Sequence, residues 1–242
     1  MNHYPPVGEV EGKKEQVEAM FDAIAPRYDL LNRVLSFGID RQWRRKAVAM
    51  LEAEQPERIL DVATGTADLA IEALRLDPKK IIGVDISEEM LSRGREKIAQ
   101  IGEPDRIVLQ RGDAEKLPFS DRQFHAVLVA FGVRNFQDLD KGLVEIRRVL
   151  RPGGVLVVLE FSQPRVFPVK QAYAFYSRYI LPRIGRTVSK NDGAYRYLPD
   201  SVAAFPHGDA FLARMRQAGY TDLSCHPLTF GIASLYKGRV PG

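Results

Sequence analysis

A chain of 242 residues with 45% apolar and 27% charged side chains has the composition of an ordinary globular protein, which excludes a disordered, collagen-like or coiled-coil chain. No apolar run approaches the roughly 20 residues that span a bilayer, the N-terminus lacks a secretory core, and the single Cys225 excludes an intrachain disulfide and a cysteine-rich metal site. The net charge of +4 is small, so we expect no nucleic-acid partner. We expect a cytoplasmic protein, with peripheral binding to an anionic membrane surface left open.

The N-terminal part of the chain predicts a loose tail followed by helices. Apolar residues spaced by three and four predict a helix from Lys13 that ends at Pro26, and a second helix is predicted over 40–51. We predict that a tail and helical extension over 1–52 belong with a domain over 53–242 in one compact unit.

Five short apolar runs alternate with helical patterns through the middle of the chain. The predicted strands cover 58–63, 80–85, 107–110, 124–130 and 155–161. Strands that alternate with helices favour a parallel sheet covered on both faces. A closing hairpin around Gly231 would add two strands, so the sequence predicts an α/β fold with a seven-stranded, mostly parallel sheet.

Residues 163–200 interrupt this alternation with prolines, tyrosines and arginines. One helical face holds Val169, Tyr173, Tyr176 and Ile180, and the basic residues around it are Lys170, Arg178, Arg183 and Arg186. Aromatic and basic side chains together favour a lipid interface, whereas the alternative is an amphipathic helix that packs on the domain or on a second subunit. We predict a helical insertion after the fifth strand that faces substrate or lipid.

Carboxylates follow three successive predicted strands, where open α/β sheets bind ligands. The turn Asp61-Val-Ala-Thr-Gly-Thr-Ala-Asp68 lacks the glycines of a dinucleotide site and the Lys-Ser/Thr of a phosphate loop, so we expect no pyrophosphate. Asp85 can accept hydrogen bonds from both hydroxyls of a ribose. Asp113 can accept from an adenine amino group while the N–H of Ala114 donates to the ring. One such Asp is commonly only a turn residue, but three form a pattern.

In this pattern the chain resembles the class I S-adenosylmethionine-dependent methyltransferases, which have a Rossmann-like sheet. The resemblance implies S-adenosylmethionine as the methyl donor and no metal. Ala63 and Ala67 replace two glycines of the usual loop, and alanine suggests a backbone that needs no positive φ there. The residues implied to bind the cofactor are Asp61, Thr64, Gly65, Thr66, Asp85, Ile86, Asp113, Ala114 and Ala130.

Two polar groupings indicate the acceptor side. Tyr28, Asp29 and Asn32 lie near the predicted helix break, although a plain pair of packing helices is the alternative. Arg134 and Asn135 follow the fourth strand, where amino-group methyltransferases typically carry Asn/Asp-Pro-Pro-Tyr/Phe; the missing motif weighs against N-methylation. A cation near a hydroxyl stabilises its ionised form, although an arginine here is alternatively the partner of a surface acid.

Longer segments are similar to the membrane-quinone C-methyltransferases, the menaquinone and ubiquinone biosynthesis family. The resemblance extends over 21–237, and its most specific parts are Tyr28-Asp-Leu-Leu-Asn32, Phe131-Gly-Val-Arg-Asn135, Leu159-Glu-Phe-Ser162 and Tyr195-Arg-Tyr-Leu-Pro-Asp-Ser201. The chain departs from the family at Leu31, Asp40 and Ala130, where Met, His and Ser are usual.

The resemblance implies methylation of a ring carbon of a polyprenyl quinol. The Gly-Thr-Ala-Asp68 form of the loop favours demethylmenaquinol as the acceptor, with a bifunctional menaquinone and ubiquinone enzyme as an alternative. The implied catalytic residues are Arg134, Asn135 and Tyr28, and the implied substrate-binding residues are Tyr28, Asn32, Phe131, Arg134, Tyr176 and Tyr195. The implied partners are a lipophilic quinol, a membrane surface and a second copy of the chain in a homodimer.

Three other readings stay open. A methyltransferase for another phenolic or lipid molecule would share the same cofactor residues. A nicotinamide-dependent oxidoreductase is opposed by the missing pyrophosphate glycines and the missing Tyr-x-x-x-Lys pair. A non-catalytic protein with a vestigial cofactor site is compatible with Ala63 and Ala67, and it would fail to bind S-adenosylmethionine.

Overall fold

The computed structural model describes residues 12–164, 166–176 and 192–242, and a seven-stranded sheet forms its centre. The strands are β1 (Arg58–Val62), β2 (Lys80–Asp85), β3 (Ile107–Arg111), β4 (Phe124–Ala130), β5 (Leu150–Phe161), β6 (Thr221–Leu228) and β7 (Ala233–Arg239). Their order is β3-β2-β1-β4-β5-β7-β6. Strands β1 to β5 pair in parallel and β7 is antiparallel to both neighbours, which confirms the predicted sheet and its closing hairpin.

The strand order places a switch point between β1 and β4. From β1 the chain moves outward to β2 and β3, then returns to the other side of β1 at β4. Loops on the two sides of such a point diverge, so a crevice opens beyond the carboxyl ends of these strands. The site described below lies there.

Helices cover both faces of the sheet. They are α1 (Lys13–Ile24), α2 (Tyr28–Leu35), α3 (Asp40–Ala49), α4 (Asp68–Ala73), α5 (Glu88–Gln100), α6 (Leu139–Val149), α7 (Val169–Phe175), α8 (Asp192–Ala204) and α9 (Asp209–Gln217). Leu143 of α6 and Phe211 of α9 belong to the core on one face, whereas Trp43 of α3 and Leu91 of α5 belong to the core on the other. The central strands are buried on both sides, which explains why they appear as continuous apolar runs in the sequence.

Two helices near the site differ from the simple pattern. The N-terminal pattern divides at a 3₁₀ turn, Ala25–Arg27, and α2 begins directly after it at Tyr28. Helix α8 contains Pro199 in its interior, where a proline removes one backbone hydrogen bond. Tertiary packing outweighs that loss: Tyr197 of α8 is buried against Met20 of α1.

The predicted insertion after β5 is helical where the structure describes it, in α7 and α8. Ile180, Arg178, Arg183 and Arg186, which complete the proposed lipid-facing surface, lie outside the described residues. Among the helices that are described, none combines the length and the apolarity that a membrane crossing requires.

Candidate active site

The loop between β1 and α4 forms one wall of the crevice. Ala63, Gly65 and Ala67 have φ values of 54°, 54° and 66°, so left-handed residues alternate along it. The expectation that the two alanines need no positive φ is therefore wrong. The loop is held by the tertiary structure, since Thr64 N–H donates to the Val84 carbonyl (3.0 Å), and such contacts outweigh the conformational cost that alanine has in this region.

Asp85 fixes the loop to the end of β2. The backbone N–H of Gly65 donates to Asp85 Oδ2 (2.8 Å), and the N–H of Ser87 donates to Oδ1 (3.0 Å). These bonds hold the carboxylate plane while each oxygen retains a further acceptor position. That capacity suits two neighbouring hydroxyls, as a ribose presents them.

Every predicted cofactor-binding residue borders one of two adjoining cavities beside this loop. A cavity of about 70 Å³ is lined by Gly65, Asp85, Ile86, Asp113, Ala114 and Ala130. A smaller cavity of about 30 Å³ is lined by Asp61, Thr64, Gly65, Thr66 and Ala130. The structure thus brings together residues that the sequence spreads from 61 to 130.

The carboxylates of this crevice suit a ligand with cationic and hydroxyl groups. Burial raises the pKa of Asp61 to about 7 and that of Asp85 to about 6. Asp61 Oδ2 accepts from the Thr64 hydroxyl (2.6 Å), whereas the buried Oδ1 has no hydrogen-bond partner in the described structure. Buried acceptors without partners are costly, so a donor supplied by a ligand would complete the site. The sulfonium, ammonium and ribose groups of S-adenosylmethionine fit this set of acceptors.

Helix α1 covers the Asp113 end of the cofactor crevice through two lysines that the sequence did not single out. Lys14 Nζ pairs with Asp113 Oδ2 (2.6 Å), and Lys13 Nζ donates to the carbonyls of Phe136 (2.7 Å) and Arg134 (3.1 Å). These contacts join residues that are 99 to 123 positions apart. No local pattern could have indicated them.

A larger cavity of about 340 Å³ adjoins the cofactor crevice. Its wall is mostly apolar and comes from α1, α2, α3, α7 and α8 together with the end of β5 and the segments after β4 and β6. The two cavities share Phe21, Tyr28 and Phe131 as lining residues. A molecule in the large cavity therefore meets a ligand of the cofactor crevice at these three side chains.

Arg134 lines the large cavity and is paired with a buried acid. Its Nη1 donates to Glu160 Oε1 (2.8 Å) and to the carbonyl of Phe131, while its Nε is buried without a hydrogen-bond partner in the described structure. Glu160 is fully buried at the end of β5; burial raises its pKa, and the Arg134 guanidinium opposes that rise. The alternative of a surface ion pair for Arg134 is wrong, since the arginine side chain is only 7% exposed.

Asn135 and Tyr28 stand close to this arginine. The Tyr197 hydroxyl donates to Asn135 Oδ1 (3.1 Å), and Asn135 Nδ2 donates to the Phe131 carbonyl (3.3 Å). Burial raises the pKa of Tyr28, and the hydrogen bond with Asn32 and the charges of Arg134 and Arg44 act against it. Tyr28 therefore stays protonated at neutral pH and can donate a hydrogen bond.

The structure supports most of the predicted substrate-binding set as one group and adds to it. Tyr28, Asn32, Phe131, Arg134 and Tyr176 all line the large cavity. The side chain of Tyr195 lies outside the described residues, so its role stays a prediction. Tyr197, two positions later on α8, lines the cavity and was not predicted.

Comparison with known proteins identifies the family of this chain. The model of the ubiE/COQ5 methyltransferase family matches residues 9–239. The chain belongs to this family. As a member of the ubiE/COQ5 family it is a methyltransferase, and S-adenosylmethionine is its methyl donor.

Several named relatives match this chain over nearly its whole length. A demethylmenaquinone methyltransferase of Bacteroides fragilis is 50% identical over 93% of each chain, and one of Deinococcus radiodurans is 48% identical over 97% of this chain and 96% of its own. A ubiquinone/menaquinone biosynthesis C-methyltransferase of Geotalea daltonii is 49% identical over 94% of this chain and 97% of its own.

Solved structures of more distant proteins share the fold. A Thermotoga maritima protein described as a possible histamine N-methyltransferase matches with a TM-score of 0.62 and 21% identity over 91% of this chain and 98% of its own. The [4+2]-cyclase SpnF matches with a TM-score of 0.62 and 19% identity over 99% of each chain. Such different activities on one fold mean that these likenesses establish the architecture alone.

Proposed function

We propose that this ubiE/COQ5 family member transfers a methyl group to a ring carbon of demethylmenaquinol and so forms menaquinol. The observation that carries the proposal is the apolar cavity of about 340 Å³ that shares Tyr28 and Phe131 with the cofactor crevice and contains Arg134. A lipophilic ring would lie in that cavity beside the methyl donor. The relatives named demethylmenaquinone methyltransferase, near 50% identical over almost the whole chain, support the same acceptor.

The chemical problem is to make an aromatic carbon nucleophilic. Ionisation of the neighbouring ring hydroxyl moves negative charge onto that carbon, and a nearby cation favours the ionised form. We assign this role to Arg134, which lines the cavity. Tyr28 would donate a hydrogen bond that orients the ring and its oxygen, since the raised pKa of Tyr28 keeps its hydroxyl protonated. Asn135, which lines the adjoining cofactor cavity, would act by holding Tyr197 and the Phe131 carbonyl in place.

Positioning and exclusion of water complete the proposed mechanism. S-Adenosylmethionine supplies an electrophilic methyl group on its sulfonium. Phe131 and Tyr28, at the boundary of the two cavities, would hold the ring carbon roughly 3–3.5 Å from that methyl group. The methyl–sulfur bond would break as the ring carbon forms the new C–C bond, and S-adenosylhomocysteine would leave with the electron pair. The ring carbon would then release its proton to solvent, which restores the aromatic ring. The aromatic wall of Trp43, Phe131 and Phe161 keeps water from this reaction.

The direct test is an anaerobic methyl-transfer assay with labelled S-adenosylmethionine in detergent micelles. A short-chain demethylmenaquinol and the corresponding benzoquinol of the ubiquinone pathway are supplied separately, and products are identified by mass spectrometry. Label in the ring of the naphthoquinol is the expected result. Cofactor binding without label in either quinol would refute the proposed acceptor and leave the family assignment intact.

A bifunctional enzyme is the second candidate. The relative from Geotalea daltonii has ubiquinone and menaquinone biosynthesis together in its name and is 49% identical to this chain. Label in both quinols, with kcat/KM values within about tenfold of each other, would favour this second candidate over a menaquinone enzyme.

We also propose that the mouth of the large cavity rests on a membrane. Phe37, Phe167 and Phe230 are 78%, 76% and 76% exposed, and each lies on or within two residues of the cavity lining. A prenyl tail must pass between bilayer and cavity, and exposed aromatic side chains favour the lipid interface. Liposome co-sedimentation tests this: Phe167→Ser combined with Phe230→Ser should lower binding several-fold, whereas Val144→Ser, at an exposed apolar position of α6, should not.

We also propose a homodimer, in which this exposed face forms the interface between two copies of the chain. The same exposed phenylalanines would be buried against a second copy, and sedimentation in detergent-free buffer would then show a dimer that Phe167→Ser with Phe230→Ser dissociates. That the extension over 1–52 and the domain over 53–242 form one compact unit also stays our proposal. It is supported by α1, which contributes Val17 and Met20 to a core cluster with Met90 of α5.

A further inference from the structure

The large cavity contains a second arginine–carboxylate pair that the mechanism above does not use. Asp40 and Arg44 lie one turn apart on α3, both line the cavity, and they are only 4% and 7% exposed. Arg44 Nη2 donates a hydrogen bond to Asp40 Oδ2 and another to Asp68 Oδ2 (3.0 Å). The Ser36 hydroxyl donates to Asp40 Oδ1 (2.6 Å).

This pair and Arg134 line the same cavity beside one aromatic wall. Trp43, between Asp40 and Arg44 on α3, has its ring centroid 6.2 Å from those of Phe131 and Phe161. The Arg134 guanidinium lies 5.5 Å from the centroid of Phe161. A flat ring in the cavity that packs on this wall therefore has both Arg134 and the α3 pair among its neighbours.

Arg134 and Asp40 favour different protonation states of a ring oxygen that contacts them. Arg134 offers a positive charge and donors, which suit an ionised oxygen. Asp40 offers a negative charge, and each of its oxygens keeps an acceptor position after its bond to Ser36 or Arg44. A carboxylate repels an anion and accepts from a neutral O–H group. Burying such a pair costs free energy that apolar residues would not, and both members line the cavity where they can contact a ligand.

We propose that Asp40, held in place by Arg44 and Ser36, accepts a hydrogen bond from the second ring hydroxyl of the acceptor, the one para to the oxygen that Arg134 stabilises as an anion. This inference rests on the quinol acceptor proposed above. It makes Asp40 the residue that selects a 1,4-dihydroxy ring over a monohydroxy ring. It also sets the orientation of the ring, because only one of the two oxygens can lose its proton.

The same contact distinguishes the reduced ring from the oxidised ring. A quinone carbonyl only accepts hydrogen bonds, so its oxygen would face the Asp40 carboxylate without a proton between them. The quinol donates to Asp40 and is therefore favoured. Replacement of Asp40 by Asn supplies an N–H group that can donate to a carbonyl, which should reverse part of this preference.

The experiment compares two substrates in two proteins. The substrates are a short-chain 3-prenyl-1,4-naphthoquinol and 3-prenyl-1-naphthol, which lacks the second oxygen, and the proteins are the wild type and Asp40→Asn. The ratio of kcat/KM values, dihydroxy over monohydroxy, should fall by about 10- to 100-fold in Asp40→Asn, the value of one hydrogen bond to a charged group. The intrinsic reactivity of each ring cancels in this comparison. Arg41→Gln, at an exposed position of the same helix, should retain the wild-type ratio.

Binding gives a second readout that needs no turnover. The oxidised 3-prenyl-1,4-naphthoquinone should inhibit Asp40→Asn at lower concentration than it inhibits the wild type. Unfolding temperature and cofactor binding are measured for each variant. If Asp40→Asn does not fold, it is replaced by Asp40→Glu, which keeps the charge but moves it by one methylene. A lower ratio supports the assignment. An unchanged ratio, or an equal loss on both substrates, overturns it, whereas a wild type inactive on both rings refutes the acceptor itself.

Discussion

The cofactor crevice and the acceptor cavity are neighbours, yet the chain builds them in different ways. The crevice uses the ends of three successive parallel strands, so its acids follow one another in the sequence as Asp61, Asp85 and Asp113. The cavity is assembled from five helices and several loops between residues 20 and 232. A crevice that the sheet places by its topology can hold a common cofactor, whereas a cavity walled by separate helices can be adapted to one acceptor.

The largest effect that we expect comes from replacing Arg134, which should lower turnover and leave cofactor binding nearly unchanged. Arg134→Ala removes the cation that stabilises the ionised oxygen, and kcat should fall about 10²- to 10³-fold, as for loss of one donor to a developing anion. The affinity for S-adenosylmethionine, measured by titration calorimetry, should change less than about threefold. Arg93→Ala, at an exposed arginine of α5, serves as the matched control. Equal losses of turnover and cofactor affinity would contradict the assigned role.

The converse variant acts on the cofactor side. Asp85→Asn keeps the shape of the side chain but removes a charge that would accept from hydroxyl groups, so cofactor affinity should fall about 10- to 100-fold. The KM for the quinol should stay near its wild-type value. If the quinol KM rises as much as the cofactor Kd, the two regions are coupled through the β1–α4 loop and the comparison fails.

Glu160 tests how far the acceptor side depends on a residue outside the cavity wall. Glu160→Gln keeps a partner for Arg134 Nη1 but leaves the cation without a counter-charge, so the arginine is held less firmly. We expect kcat to fall about tenfold, of the order of a lost charged hydrogen bond. The acidic limb of the pH profile of kcat should move to lower pH, because the unopposed cation ionises the hydroxyl more readily. A fall in kcat without this movement would make Glu160 purely structural.

The smallest effect is a pH dependence confined to the cofactor crevice. Burial raises the pKa of Asp61 to about 7 and of Asp85 to about 6, and a cationic cofactor binds the ionised forms better. Binding then releases protons, so the Kd of S-adenosylmethionine should be constant above about pH 8, be about twofold higher at pH 7, and rise more steeply below pH 6, where both carboxyls are protonated in the free enzyme. Calorimetry in buffers of different ionisation enthalpy would detect the released protons. A Kd that is flat from pH 5 to pH 8 would contradict this account.

Much of this architecture could be predicted from the sequence. The buried strands, the closing hairpin and the acids at the strand ends all follow from short-range patterns, because a parallel strand buried on both faces must be an apolar run and its end must be a turn. The resemblance of Tyr28-Asp-Leu-Leu-Asn32 and Phe131-Gly-Val-Arg-Asn135 to a known family then supplied the acceptor class. The family match over 9–239 confirms the family, and the acceptor stays a proposal.

The contacts that complete the site were missed for a common reason. Lys14 reaches Asp113 over 99 residues, Tyr197 reaches Asn135 over 62, and Arg134 reaches Glu160 over 26. None of these pairs has a periodicity or a turn signal that joins its two members. The positive φ values of Ala63 and Ala67 were misjudged in the same way, since the surrounding sheet and helices, and not local preference, hold that loop.

The sequence by itself determined the layered α/β fold, the cofactor end of the sheet and the family, because these depend on local hydrophobic patterns and on residues at strand ends. The tertiary structure alone decided that Tyr197 lines the cavity, which acid pairs with Arg134, and that Asp40 and Arg44 lie beside the same aromatic wall. The physical reason is that side chains from distant segments acquire their protonation and partners only when packing removes water from around them.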